Sequence, residues 1–171
     1  MDFVAITIWY CFAFLGYVAL IFQADYFPKH YFYLGAIVLA AICFIELPFL
    51  SNDYFRFLWD GEMIHLGINP YDFSPDHLIH SKDFNHCYYL DLYAGMGELS
   101  RSNYSCYPTF NQLYFYLSTG VYKDIWTNVL LLRIFSLGTI LIAVFYLEKL
   151  LIESNLNPKR SLVFLLNPLV I

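Results

Sequence analysis

Three apolar runs decide what this chain can fold into. Phe3 to Phe22, Tyr31 to Leu50 and Trp126 to Leu151 each have the length of a bilayer crossing, since about 20 residues at 1.5 Å rise span the hydrocarbon. Inside lipid every backbone amide and carbonyl must be satisfied within the chain, so such runs read as helices. The first is not expected to be a secretory leader, because it lacks a basic start and a small-x-small cleavage site and its apolar part is too long. Only 13% of the chain is charged and 60% is hydrophobic, whereas soluble domains carry roughly a quarter charged residues. The net charge of -5 speaks against a nucleic-acid partner, whose phosphates need a basic surface.

Between the second and third runs lies a long polar interval, residues 51 to 104. It holds Asp53, Asp60, Glu62, Asp72, Asp76, Asp83, Asp91 and Glu98 against Arg56, Lys82 and Arg101. Cytoplasmic loops favour Lys and Arg, so this acidic interval is expected on the non-cytoplasmic side. A short helix is expected within Asp91–Ser100, loosened by Gly95 and Gly97. Tyr107 to Tyr122 is apolar but short, and is expected to tilt, extend, or enter and return. Ser161 to Ile171 opens another apolar run too short to cross. The division expected is residues 1–50 with two spans, 51–104 as an external loop, and 105–171 with further spans, the last incomplete. An external loop places Lys29 inside. If Tyr107–Tyr122 crosses, Lys159 and Arg160 fall outside, against the positive-inside bias; if it returns, the conflict disappears.

The interval opens on Ser51 to Tyr71, which predicts a helix over residues 53–66. Asp53, Arg56 and Asp60 are spaced i, i+3, i+7 and share a face. Ser51 or Asn52 can cap the first turn, and Asp53 suits the positive end of the helix dipole. Gly61 is expected to fray the helix and Gly67 to stop it. Asn69-Pro70 then forces a turn. With Tyr54, Phe57, Leu58 and Met63 on another face, the expectation is an amphipathic helix lying in the membrane plane, its polar stripe toward water or a cavity.

Each candidate has a plainer reading beside the chemical one. Asp53 can act as general base for an acceptor hydroxyl, or simply complement the dipole. Arg56 and Asp60 read most simply as a surface pair of little worth. Trp59 is an interfacial anchor or a platform for a sugar. His77, His80 and His86 with Asp76 and Asp83 read as a solvated loop rather than a metal site. Cys87 and Cys106 could pair in an oxidising compartment, but two free thiols are the expected reading. Arg133, inside an apolar run, faces a polar cavity or reaches for an interface. No glycine-rich phosphate loop and no HExxH is present, so no cofactor is assigned, and a divalent cation stays open.

Ser51-Asn52-Asp53-Tyr54-Phe55-Arg56-Phe57-Leu58-Trp59-Asp60-Gly61, followed by Gly67-Ile68-Asn69-Pro70-Tyr71, resembles a known signature. It opens the first large external loop of bacterial polyprenyl-phosphate-dependent mannosyltransferases of the GT-C superfamily. Tyr107-Pro108-Thr109-Phe110-Asn111-Gln112 and Leu166-Asn167-Pro168-Leu169 resemble later family segments, with Thr109 in place of a proline. The resemblance implies Asp53 as the catalytic loop aspartate. Asn52 stands where the family often has the first of two aspartates, which leaves Asp60 as the remaining second carboxylate.

The resulting expectation is an all-α, polytopic transmembrane protein, the N-terminal portion of a GT-C-like glycosyltransferase of a bacterial inner membrane. It would move a hexose, mannose by the resemblance, from a polyprenyl-phosphate donor to a hydroxyl on a glycan or lipid acceptor. Arg56, Arg101 or Arg133 would stabilise the leaving phosphate, and Trp59, Asn69, Tyr71, Tyr107 and Gln112 would shape the sugar cavity. Two rival expectations are a non-enzymatic or remnant membrane protein that binds lipid-linked sugars, and a transporter fragment with Glu46 and Arg133 as relay charges.

Overall fold

In a computed structural model the described residues are 3–23, 25–45, 47–48 and 51–167, with the backbone alone for Cys43. Glu46, Leu50, Pro168 and Leu169, which entered the expectations above, lie outside them. Among the described residues all regular structure is helical. The helices are α1 (Phe3–Gln23), α2 (Lys29–Ile45), α3 (Asp53–His65), α4 (Pro75–Leu78), α5 (Cys87–Gly95), α6 (Glu98–Ser102), α7 (Thr109–Ser118), α8 (Ile125–Glu153) and α9 (Arg160–Phe164). α1 and α8 are long and apolar enough to cross a membrane. α2, at 17 residues, sits at the lower limit of that length. α7 has ten residues, about 15 Å of helix, and is too short to cross.

The chain forms two compact units, Met1–Glu46 with Gly138–Ile171, and Leu47–Leu137. In the first, Phe32, Val144, Leu162, Val163 and Leu165 are buried together, with α9 against α1 and α2. The two connectors of this unit meet: the Asn157 amide donates to the Asp25 carboxylate, and Lys159 Nζ lies 3.3 Å from the Phe27 carbonyl. Lys29 pairs with Glu148 at 3.3 Å.

The second unit is built around α3, which packs on α5 and on α7. Local chemistry starts and stops this helix much as the residues predict. Ser51 Oγ accepts the Asp53 amide at 3.1 Å, and Asp53 lies in the positive first turn. At the other end Ile68 N–H reaches back to the Met63 carbonyl at 2.8 Å, and Gly67 N–H to that of Ile64 at 3.0 Å. This Schellman pattern needs a left-handed residue, supplied by Gly67 at φ +74°. Instead of one short helix, Asp91–Ser100 holds the end of α5 and the start of α6, broken at Met96 and Gly97.

The exposed polar stripe expected of α3 is not found. Arg56, Leu58, Trp59, Asp60, Gly61, Glu62 and Met63 are all buried, so α3 is a core helix of its unit. Trp59, 1% exposed, stacks on Phe84 at a centroid distance of 5.4 Å and shares a core with Leu58, Met63, Tyr88, Tyr89 and Leu92. Gly61 does not fray the helix either. A Cβ there would stand 2.2 Å from the Phe115 carbonyl oxygen and 2.5 Å from Thr119 Oγ1, so its missing side chain is what lets α7 approach.

That contact is with backbone, which cannot swing aside. Gly61→Ala is therefore expected to destabilise the unit by about 1–3 kcal/mol, the usual cost of overpacking. Gly16→Ala, where nothing lies within 4 Å, serves as the control and should leave the midpoint unchanged. Thermal unfolding in detergent measures both.

Candidate functional site

Asp53, in the first turn of α3, has an exposed side chain. Asp60, two turns on along the same face, has none of its surface exposed. A carboxylate there needs donors and a cation. Arg56 Nε supplies the cation at 2.7 Å on Oδ1. Ser105 Oγ donates to Oδ2 at 2.6 Å, and Gln112 Nε2 donates to Oδ2 at 3.1 Å and to Ser105 Oγ at 2.7 Å. The Arg56 guanidinium also donates through Nη1 to the carbonyls of Ser100 and Asn103. One buried ion pair thus ties α3 to α7 and to the segment that follows α6.

That segment leads to Tyr107. Its ring lies edge-on to Phe57 at 4.9 Å and to Phe115 at 5.6 Å. Burial, followed by the negative charge of Asp53, pushes its hydroxyl up to about 12. The Tyr107 ring thus rests on Phe57, one helical turn along α3 from Asp53, and the phenol keeps its proton. The Asn69–Asp72 turn braces the same place. Asn69 Oδ1 accepts the Tyr71 amide at 3.1 Å, its Nδ2 donates to Asp72 at 2.9 Å, and the Tyr71 hydroxyl donates to the Tyr107 carbonyl at 2.6 Å.

An exposed carboxylate on a fixed helix, a protonated phenol packed one turn along that helix and a buried carboxylate network are a set of groups that can take part in proton transfer with a bound hydroxyl. The family model described as alpha-(1->6)-mannopyranosyltransferase, N-terminal domain, matches residues 4–171. The chain belongs to this family. No curated protein and no solved structure matches it.

Among the candidates read from this mannosyltransferase-family sequence, the structure brings together Asp53, Arg56, Asp60, Asn69, Tyr71, Tyr107 and Gln112. Two readings need correction. Arg56 and Asp60 are not a surface pair: their side chains are 3% and 0% exposed. Asp60 is accordingly closed to an acceptor, its oxygens taken by Arg56, Ser105 and Gln112. Trp59 is neither an interfacial anchor nor an open sugar platform, because the core covers it. Arg101 is half-buried; its Nε donates to the Met96 carbonyl at 2.9 Å and its guanidinium lies 4.9 Å over the Tyr93 ring. Arg133 is half-buried in α8. Of the histidines, His86 caps α5 by accepting the Tyr88 amide at 3.2 Å, and His77 stacks on Phe73. Among the described residues no three His, Cys, Asp or Glu side chains are grouped as metal ligands. Cys87 and Cys106 are free and exposed.

Sequence reasoning passed over a second buried carboxylate. Glu62, 0% exposed, pairs with Lys123 and accepts from Gly120 N at 3.3 Å and from the Tyr89 hydroxyl at 3.5 Å. The Lys123 ammonium lies 5.2 Å over the Tyr89 ring, and beside it the Asn128 amide donates to the Tyr88 hydroxyl at 2.7 Å. The residues are scattered over 62 to 128, and no local spacing announces them. Ser105 escaped for the same reason.

Burial, then the charge of Glu62, also raises the Tyr88 hydroxyl. For Tyr88 and Tyr107 the folded chain holds a proton that the unfolded chain releases near pH 10. Their contribution is thus full below about pH 10 and declines as the pH rises above it, for Tyr107 through about 12. The thermal midpoint is expected to be flat through about pH 9 and to fall above 10, with a shallower fall in Tyr107→Phe. Unfolding scans across that range measure it.

Proposed function

We propose that the chain carries the acceptor-activating part of a mannosyltransferase that takes its sugar from a polyprenyl phosphate, with Asp53 as the general base. The reading rests on one contrast: of the two carboxylates on that face of α3, Asp53 is open and Asp60 is closed. Asp53 takes the proton of the acceptor hydroxyl as its oxygen attacks the anomeric carbon. The bond from that carbon to the phosphate oxygen breaks with its electron pair, the anomeric centre inverts, and the phosphate leaves as an anion. Tyr107, beside Asp53, offers a protonated hydroxyl to the bound sugar or acceptor. Arg56, Arg101 or Arg133 would stabilise the charge of the leaving phosphate. A lipid-linked donor also accounts for a sequence without a nucleotide-binding loop.

Asp53→Asn is expected to lower transfer by about 10²- to 10⁴-fold with the amount of folded protein unchanged. Asp60→Asn is expected to lower the folded amount itself, since breaking a buried pair costs about 3–5 kcal/mol. The assay is transfer of radiolabelled sugar from polyprenyl phosphate in membranes, with the protein expressed from its native reading frame. Wild-type turnover by Asp53→Asn would remove it as the base.

For the membrane, the reading is multi-pass, with the joined 25–28 and 154–159 connectors in the cytoplasm. They are flanked by Lys29, Lys149, Lys159 and Arg160, as the positive-inside rule favours. With α7 too short to cross, residues 51–124 stay on the non-cytoplasmic side, and the conflict over Lys159 and Arg160 disappears. An impermeant maleimide applied to intact cells should label Cys87 and Cys106 and spare a cysteine introduced by Ser154→Cys. The reverse pattern would overturn this topology.

A further inference from the structure

Nothing in the run Asn103-Tyr104-Ser105-Cys106 marks Ser105, yet its side chain and amide are engaged with three other parts of the unit. Its hydroxyl donates to Asp60 at 2.6 Å and accepts from Gln112 at 2.7 Å, and its N–H donates to the Pro70 carbonyl at 3.0 Å. It is 9% exposed. α3, α7 and the Asn69–Asp72 turn therefore meet at one small side chain and its amide. Two residues on, the Tyr107 carbonyl accepts from the Tyr71 hydroxyl at 2.6 Å, and the Tyr107 ring rests on Phe57 and Phe115. Phe57, read from spacing as part of the apolar face, stands one turn from Asp53 and only about 40° around α3 from it.

We propose that Ser105 is a positioning residue for sugar transfer, which holds the segment bearing Tyr107 against the face of α3 that carries Asp53. The proposal rests on the reading of Asp53 as the base. Ser105 touches no reacting atom. It acts by closing the chain between the buried carboxylate and the phenol, and a misplacement of about 1 Å at a reacting centre can cost up to about 100-fold. A serine suits the position because one hydroxyl donates to Asp60 while it accepts from Gln112. Alanine removes both hydrogen bonds and leaves the backbone N–H hydrogen bond to the Pro70 carbonyl.

The test is Ser105→Ala, alone and combined with Tyr107→Phe, in the protein expressed from its native reading frame. Per folded molecule, kcat for sugar transfer from polyprenyl phosphate is expected to fall about 10-fold, with KM for the donor held within about twofold. A purely structural serine would lower the folded amount and leave kcat alone, and that result would overturn the proposal. In the Tyr107→Phe background, Ser105→Ala should cost little more, since both act through one hydroxyl. Additive losses, or full activity of Tyr107→Phe, would rule out this route.

Cys106 gives a readout that needs no turnover. It is free and exposed next to Ser105, and Cys87 on α5 is free and exposed as an internal reference. Ser105→Ala should speed maleimide labelling of Cys106 several-fold relative to Cys87, and an unchanged ratio would sink the proposal whatever the chemistry. Wild-type transfer by Asp53→Asn together with a raised Cys106 ratio would instead strike the general-base reading and leave the tether standing.

Discussion

Two carboxylates with no exposed surface lie two residues apart on one helix, and everything else in the second unit is arranged to tolerate them. Asp60 and Glu62 point to nearly opposite sides of α3, so each needs its own cation and its own donors. Arg56, Ser105 and Gln112 serve Asp60; Lys123, Tyr89 and the Gly120 amide serve Glu62. An unpaired charge in that position would be far more costly than a lost apolar contact. An apolar face alone can slide or rotate among near-equivalent packings. Two ion pairs on opposite sides fix the rotation and height of α3 against its neighbours, and with them the place of its first turn.

The functional contrast follows from this arrangement. A base must meet its substrate, and a supporting carboxylate must not. In the proposed reaction the same residue type would do both jobs seven residues apart on α3, divided by burial alone: Asp53 stands exposed in the first turn, while Asp60 is sealed by three donors. Tyr107 joins the two, since it continues the segment that Ser105 ties to Asp60 and its ring packs on Phe57, one turn from Asp53. The close approach of α7 at Gly61 keeps Gln112 and Phe115 within reach of the same helix face.

What the sequence made legible was local. The apolar lengths of α1 and α8, the Ser51 cap, the Gly67 stop and the Asn69-Pro70 turn each depend on a few adjacent residues, and each has its expected form. The motif blocks at 51–71 and 107–112 carried the family. The environment of α3 was not legible, because an i, i+3, i+7 polar stripe looks the same whether water or protein lies against it. Burial of Arg56 and Asp60 depends on Ser100, Asn103, Ser105 and Gln112, more than forty residues away in the chain. Trp59 was misread for the same reason: an aromatic next to an apolar run looks like an anchor until Phe84 and Tyr89 are found around it. Gly61 shows the reverse error, since helix propensity saw a weak point where packing needed an absent side chain.

α8 has more length than a bilayer uses. Its 29 residues make a rod of about 44 Å, against a hydrocarbon thickness of about 30 Å. At an ordinary tilt of about 20° a crossing takes roughly 21 residues, and about eight are left over. Glu148, Lys149 and Glu153 fall in the last two turns, where a surplus at that end would place them among lipid headgroups. In the proposed multi-pass arrangement the Lys29–Glu148 pair would work as a depth gauge. A thinner or thicker bilayer would have to change the tilt of α8 or pull that pair toward oil or water, so the lipid thickness around the protein would set the inclination of its longest helix.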